Sequence, residues 1–107
     1  MKYGDLVTIA LQGEFGKPRP ALVVQSDLFA EHSTITVLLL TSSLVEAPLL
    51  RVTLEPDGNN GLQKQSQVMI DKTMTIRREK IGEAFGFVNT EAMQTIRRLQ
   101  AVVLNIV

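Results

Sequence analysis

Apolar residues along this chain recur with two different periods, and the change between them falls near residue 89. Before that point, short segments rich in β-branched and aliphatic residues are separated by turn residues about every eight to twelve positions. After it, apolar residues three and four positions apart define one stripe of a helix. Strands followed by one terminal helix favour a small barrel or roll over βαβ units. We therefore predict a mainly β fold (α+β) of five to seven short strands with a C-terminal amphipathic helix.

The strands are predicted where apolar or β-branched segments are bounded by turn residues. The clearest loop signal is the DGNNG sequence at 57–61. Ser26 is placed to cap one helical turn that runs through Phe29. The predicted strands are residues 5–11, 21–24, 34–40, 49–54, 67–70 and 73–76.

The last segment of the chain has the pattern of an amphipathic helix. Asn89 or Thr90 can serve as its N-cap, and Glu91 falls in the first turn, where a carboxylate is favourable. Arg97 and Arg98 are expected on its solvent side. The apolar stripe consists of Ala92, Ile96, Leu99, Val103 and Ile106.

Composition limits both the class of protein and the chemistry available to it. With 107 residues, 45% hydrophobic and 21% charged, the sequence fits one folded domain over residues 1–107. There is no cysteine and one histidine, His32, so disulfides, zinc sites and cofactors are not expected. Eleven basic and eleven acidic side chains cancel, so any contact with nucleic acid has to be local.

Neither a secretion signal nor a membrane span is predicted. The first residues, MKYGDLVTIAL, lack a long apolar region and a small-residue cleavage site. The longest apolar runs are four residues, far short of the roughly 20 that a spanning helix needs. We expect a cytoplasmic protein that does not contact a membrane.

Residues 16–24, GKPRPALVV, place a cation at the start of a buried strand. Each proline pushes the residue before it into extended geometry, so Lys17 and Arg19 are pre-set in β or polyproline conformation. The planar guanidinium of Arg19 stays charged and can bind a phosphate through two parallel hydrogen bonds. The segment therefore presents a restrained phosphate-binding cation.

Four segments, in this order, resemble the MazF/PemK/Kid toxins of bacterial type II toxin–antitoxin pairs. They are Gly4–Asp5, residues 16–24, Thr41–Ser42, and the stretch from Asp71 to Ile76 with the preceding Ile70. The resemblance spans nearly the whole chain and implies an SH3-like barrel that forms a two-fold homodimer. It also implies an endoribonuclease (mRNA interferase) that cuts single-stranded RNA at short sequences without a metal. A cognate antitoxin protein would neutralise it.

The resemblance implies Arg19 and Thr41 as active-site residues. Metal-free cleavage by the neighbouring 2′-hydroxyl passes through a pentavalent phosphate with extra negative charge, which needs a fixed cation and hydrogen-bond donors. Arg19 suits the first role and the Thr41 hydroxyl the second. Two plainer roles stay open: Arg19 as a surface cation paired with Glu14 or Asp71, and Thr41 as a strand-end hydroxyl bonded to the backbone.

The chain departs from the family pattern at positions that matter for proton transfer. Some members carry a histidine in the loop that here contains Glu14 and Phe15, and arginines where this chain has Met69 and Met74. Asp71 is the third catalytic residue that we predict, and Glu14 is the other carboxylate candidate. A solvated turn role for Asp71 stays open. The predicted RNA-binding residues are Glu14, Phe15, Lys17, Ser42 and Lys72.

Two other functions fit parts of this pattern. The absent arginines also suit a non-catalytic toxin of the same fold that poisons DNA gyrase, like the CcdB toxins. Those relatives end in an aromatic-glycine-hydrophobic tripeptide, whereas this sequence ends in LNIV. An SH3-like interaction module without toxicity is the third hypothesis.

Overall fold

The computed structural model describes residues 1–11 and 17–106, and in these ranges six strands form one antiparallel sheet. The elements are β1 (Asp5–Ala10), β2 (Pro18–Val23), β3 (Thr34–Thr41), β4 (Arg51–Leu54), β5 (Ser66–Arg77), β6 (Gly86–Phe87) and the helix α1 (Thr90–Val103). The sheet order is β4-β5-β3-β2-β1-β6, and the sheet curls into a half-barrel. The predicted mainly β fold with a C-terminal helix is confirmed.

Both faces of the central strands are buried, which explains their unbroken apolar runs. Leu6 and Val7 are each 0% exposed although neighbouring strand residues point to opposite faces. Leu6 belongs to the larger core cluster, which includes Met93 and Ile96 of α1. Val7 belongs to a second cluster on the opposite face. The prediction that residues 21–24 form a strand buried on both faces is confirmed for residues 21–23, whereas Val24 lies beyond the end of β2 and is half-buried.

The prediction of two short strands at 67–70 and 73–76 is wrong, because both belong to the twelve-residue strand β5. The N-terminal part of β5 pairs with both β4 and β3, and its C-terminal part continues along β3. Asp71 and Lys72 lie where the β3 pairing is irregular. Two exposed polar residues in succession resemble a turn in sequence, but here the strand continues through them.

The starts of two other strands differ from the prediction, and one strand was not predicted. The segment 47–50 forms a turn, with the Leu50 amide bonded to the Ala47 carbonyl at 2.9 Å, so the fourth strand begins at Arg51. The second strand begins at Pro18 rather than at residue 21. The short strand β6 was not predicted, since two residues carry no periodicity. The predicted helical turn is confirmed as a 3-10 turn, Asp27–Phe29, capped by Ser26.

Helix α1 begins at the predicted place and ends earlier than predicted. Asn89 is its N-cap, and its side chain accepts a hydrogen bond from the Ala92 amide at 2.8 Å. Met93 and Ile96 are buried, whereas Val103 is 38% and Ile106 73% exposed. The far end of the predicted stripe is therefore wrong, because the α1 residues in the core cluster or packed against it run only from Ala92 to Leu99. Within the described ranges no helix is long and apolar enough to cross a membrane.

Candidate active site

Arg19 and Thr41 come together because β2 and β3 are antiparallel neighbours. Ala21 pairs with Leu39, and the same register continued by two residues sets Arg19 across from Thr41. Residues directly opposite each other in a sheet project from the same face. The start of β2 and the end of β3 thus bring two predicted site residues to one place.

A cleft of ≈ 710 Å³ opens at this end of the sheet. Its lining combines strand-end residues with a segment from the loop after β4 and one aromatic side chain. The lining residues are Thr8, Pro18, Arg19, Pro20, Leu40, Thr41, Ser42, Gly61, Leu62, Gln63, Lys64, Ser66 and Phe85.

The backbone of Arg19 is held from both sides. Pro18 and Pro20 restrict the chain around it, since each proline fixes its own φ and limits the residue before it. Across the sheet, Arg19 pairs with Ile9 of β1, whose side chain is buried. Little backbone freedom is therefore left to lose when the guanidinium binds an anion.

The hydroxyl of Thr41 accepts a hydrogen bond from the Ser43 amide at 3.0 Å. This hydrogen bond is the backbone contact named above as the alternative role of Thr41. Accepting that bond uses an oxygen lone pair, so the hydroxyl proton can still be donated to a ligand. The next residue, Ser42, is exposed and also lines the cleft. The structural and the ligand-binding roles of Thr41 are compatible.

One wall of the cleft consists of residues that sequence reasoning missed, namely 61–64 and Phe85. Buried Asn60 anchors this wall: its side chain accepts from the Leu62 amide at 3.0 Å and donates to the Glu55 carbonyl at 2.8 Å. Exposed Lys64 adds a second cation to the lining. The turn residues at 57–61 predicted the loop, but no sequence pattern indicated that Phe85 lies beside it.

Gly61 lets the two segments of this wall touch. It has φ +65°, and a Cβ there would lie 2.5 Å from the Phe85 carbonyl oxygen. Gly86 packs as tightly, because its Cβ would lie 2.3 Å from the Asn60 carbonyl oxygen. The loop and the strand β6 are therefore in direct backbone contact.

The remaining predicted site residues lie elsewhere. Asp71 and Lys72 form an ion pair of 3.2 Å with each other, and neither lines the cleft. Lys17 is exposed directly before β2. Glu14 and Phe15 lie outside the described residues. Of the predicted set, the cleft therefore brings together Arg19, Thr41 and Ser42.

His32 and Arg78 do not line the cleft and make structural contacts elsewhere. Exposed His32 lies 3.3 Å from the Thr34 hydroxyl, Nδ1 to Oγ1. Arg78 donates to the carbonyl oxygens of His32, at 3.0 Å, and of Ala30, which ties the connector before β3 to the end of β5. Among the described residues, no three His, Asp or Glu side chains group closely enough to hold a metal ion.

Solved structures of toxins from toxin–antitoxin pairs share this architecture. An endoribonuclease from a mycobacterial species, solved with its cognate antitoxin, has a TM-score of 0.84 at 20% identity, covering 100% of this chain and 97% of that one. MazF from Deinococcus radiodurans has a TM-score of 0.79 at 22% identity, with coverage of 98% and 96%. At these identities the likeness establishes the fold.

Sequence comparison establishes the family. A model of the PemK-like, MazF-like toxins of type II toxin–antitoxin systems matches residues 2–104. A probable endoribonuclease MazF from Mycolicibacterium smegmatis is 40% identical over an alignment of 101 positions that covers 92% of this chain and 93% of that protein. The chain belongs to the PemK-like, MazF-like toxin family, and the predicted family is confirmed.

Proposed function

We propose that this protein is a toxin endoribonuclease that cleaves single-stranded mRNA without a metal ion. The observation that carries the proposal is the placement of Arg19 and Thr41 at the facing ends of β2 and β3, in one cleft. The cleft volume of ≈ 710 Å³ suits a ligand the size of a short nucleotide segment. The 40% identical relative is named a probable endoribonuclease.

The proposed reaction is a transfer of the phosphoryl group within the RNA strand. The 2′-oxygen of one nucleotide attacks the adjacent phosphorus, and the bond from phosphorus to the 5′-oxygen of the next nucleotide breaks. One proton leaves the 2′-hydroxyl and one joins the departing 5′-oxygen, which gives a 2′,3′-cyclic phosphate and a 5′-hydroxyl end. Arg19 stabilises the extra charge on the pentavalent phosphate, and Thr41 donates a hydrogen bond to it.

The reaction moves two protons, one from the 2′-hydroxyl and one to the departing 5′-oxygen. Asp71 stays the predicted residue for proton transfer. It forms an ion pair with Lys72 and does not line the cleft of its own subunit. Asp71→Asn tests it in the cleavage assay described below. A rate loss of about tenfold or more supports proton transfer by this carboxylate. A rate equal to that of the wild type removes it from the mechanism.

The comparisons favour an RNA-cleaving toxin over the gyrase poison that the absent arginines also suggested. Partners follow from the same relatives. A mycobacterial endoribonuclease has been solved with its cognate antitoxin, and MazF of Deinococcus radiodurans with MazE, so a cognate antitoxin is the expected protein partner here. A bacterial protein that cleaves mRNA acts in the cytoplasm, so the proposal includes a cytoplasmic location.

A homodimer is part of the proposal. The C-terminal end of α1 and the residues after it expose apolar side chains that a partner subunit would cover. They are Val102, Val103, Leu104 and Ile106, exposed by 49%, 38%, 60% and 73%. Light scattering on the purified protein should give twice the mass of one chain. The mass of a single chain at micromolar concentration would contradict the dimer.

The decisive experiment is cleavage of a mixed-sequence single-stranded RNA in the presence of EDTA. The wild type should produce 2′,3′-cyclic phosphate and 5′-hydroxyl ends. Arg19→Ala should lower the rate by about a hundredfold or more, because the phosphate loses its fixed cation. Arg19→Lys should recover only part of this, since an ammonium group lacks the planar fork of donors.

The control variant for this experiment is Arg98→Ala, which removes an exposed arginine on α1 outside the cleft. It should cleave at the wild-type rate. Intact RNA after incubation with well-folded wild-type protein would refute the proposed function. Equal rates for the Arg19→Ala and Arg98→Ala variants would refute the assigned site.

A further inference from the structure

The cleft has more apolar surface than a phosphate site requires. Binding the phosphate at Arg19 and Thr41 calls for donors and charge, yet the lining of the cleft also includes Leu62 and Phe85. Phe85 is 38% exposed. An aromatic ring left open to solvent beside a phosphate-binding cation is suited to the flat face of a nucleobase.

The backbone of Phe85 is fixed. Its amide donates to the Leu6 carbonyl of β1 at 2.9 Å, and its own carbonyl is packed against Gly61. Gly86, which follows, pairs with Leu6 in the sheet. With the backbone fixed, only the two side-chain torsions of Phe85 remain to be ordered when a base stacks on the ring, which favours binding.

The position of Phe85 relative to Arg19 leaves room for one nucleotide. Phe85 is bonded to β1 at Leu6, while Arg19 pairs with β1 at Ile9 from the other side. Three residues along a strand and two strand spacings across it make a path of roughly 14 Å over the sheet, and the curl of the sheet shortens the direct distance between the two backbones. An arginine side chain, a nucleotide and a phenyl ring together can span this distance.

Lys64 lies on the same wall as Phe85 and is exposed. Two cations, Arg19 and Lys64, thus line one cleft that also contains an aromatic ring. Stacked bases with the backbone tracked by cations are the general mode of binding single-stranded nucleic acid. A compact anion without a base would leave the ring and Leu62 unused.

From this arrangement we propose that Phe85 stacks on the nucleobase adjacent to the scissile phosphate, while Lys64 contacts the next phosphate of the same strand. The inference rests on the proposed function and deepens it, because it assigns the residue that selects or holds a base. The RNA-binding role predicted for Phe15 stays a prediction beside it, because Phe15 lies outside the described residues. Phe85 is a positioning and specificity residue; it does not act on the reacting atoms.

The test compares variants of Phe85 with Phe87→Ala. Phe87 lies two residues away on β6, is 49% exposed and does not line the cleft, so it is a matched control. Binding is measured with a fluorescent, mixed-sequence single-stranded DNA octamer, which lacks the attacking 2′-hydroxyl. Phe85→Ala should weaken binding roughly tenfold or more, whereas Phe87→Ala should bind like the wild type.

Two further variants separate stacking from packing. Phe85→Leu keeps an apolar side chain and should bind as weakly as Phe85→Ala, whereas Phe85→Trp keeps a flat aromatic face and should bind within about threefold of the wild type. Binding by the leucine variant at wild-type strength would overturn the inference. Circular dichroism and the thermal midpoint check that each variant is folded.

Cleavage of a mixed-sequence RNA supplies the second measurement. Sequencing of the new 5′-hydroxyl ends should show that Phe85→Ala relaxes the base preference at one position next to the cut, while Phe87→Ala does not. Normal cleavage with unchanged preference by Phe85→Ala would refute the stacking role and leave the proposed function standing. No cleavage by the wild type would refute the proposed function. The stacking role of Phe85 would then still be tested by the binding of the DNA octamer.

Discussion

Arg19 and Thr41 are far apart in sequence and line the same cleft because of the register between β2 and β3. Their positions are set by the pairing of Ala21 with Leu39, and a slip of one residue would turn one of the two side chains to the other face of the sheet. The core prevents such a slip, since Leu22 and Leu38 are both 0% exposed in one cluster. Buried core residues thus hold the geometry of the proposed site.

The hydroxyl of Thr41 can be tested apart from its side-chain volume. Thr41→Val removes the hydroxyl and should lower the cleavage rate by roughly tenfold to a hundredfold, as expected for one hydrogen bond to a charged group. Thr41→Ser keeps the hydroxyl and should stay within about threefold of the wild type. Single-turnover rates with excess enzyme measure both, and equal rates for the two variants would contradict the donor role.

At the scale of elements, the loop after β4 and strand β6 form one unit. Asp57 accepts from the amides of Asn59 and Asn60, each at 2.8 Å, and the Phe87 amide donates to the Asn59 carbonyl at 3.0 Å. This unit carries both Lys64 and Phe85 to the cleft. Its integrity depends on the glycine at position 61.

Gly61→Ala should destabilise the protein by at least about 1–2 kcal/mol, the cost of a left-handed backbone for a residue with a Cβ. The clash with the Phe85 carbonyl, 2.5 Å from the new carbon, adds to that cost. Gly58→Ala is the matched control in the same loop, because a Cβ there meets nothing within 4 Å. Chemical denaturation measures both, and equal unfolding free energies for the two variants would show that the packing of this wall is not tight.

The same elements show how far sequence reasoning reaches. Strands with strong periodicity, such as β1 and β3, and the capped start of α1 were predicted because local patterns determine them. Arg19 and Thr41 were predicted together because the family resemblance implies both, and the structure places both at one cleft. Lys64 and Phe85 were missed because their placement in one cleft depends on the two-residue strand β6 and on Gly61. Neither of these leaves a periodic signal in the sequence.

At the scale of the whole molecule, charge is balanced. Eleven basic and eleven acidic side chains give a formal net charge of zero, so the protein has no long-range attraction for RNA. Binding then depends on local cations, of which Arg19 and Lys64 line the cleft and Lys17 lies exposed beside β2. A toxin of this kind should bind RNA through few phosphate contacts and weaken only modestly with salt.

The expected salt dependence can be stated as the slope of the logarithm of the binding constant against the logarithm of the salt concentration. For single strands the logarithm of the binding constant falls by about 0.7 per neutralised phosphate for each unit of log salt concentration. Three cations therefore allow a slope no steeper than about −2 for a DNA octamer, measured by fluorescence anisotropy between about 50 and 300 mM salt. Lys64→Ala should make the slope shallower by about 0.7. Lys80→Ala, an exposed lysine outside the cleft, should leave it unchanged. A wild-type slope near −4 would show that a much wider basic surface binds the strand, and an unchanged slope in the Lys64 variant would remove that residue from the RNA path.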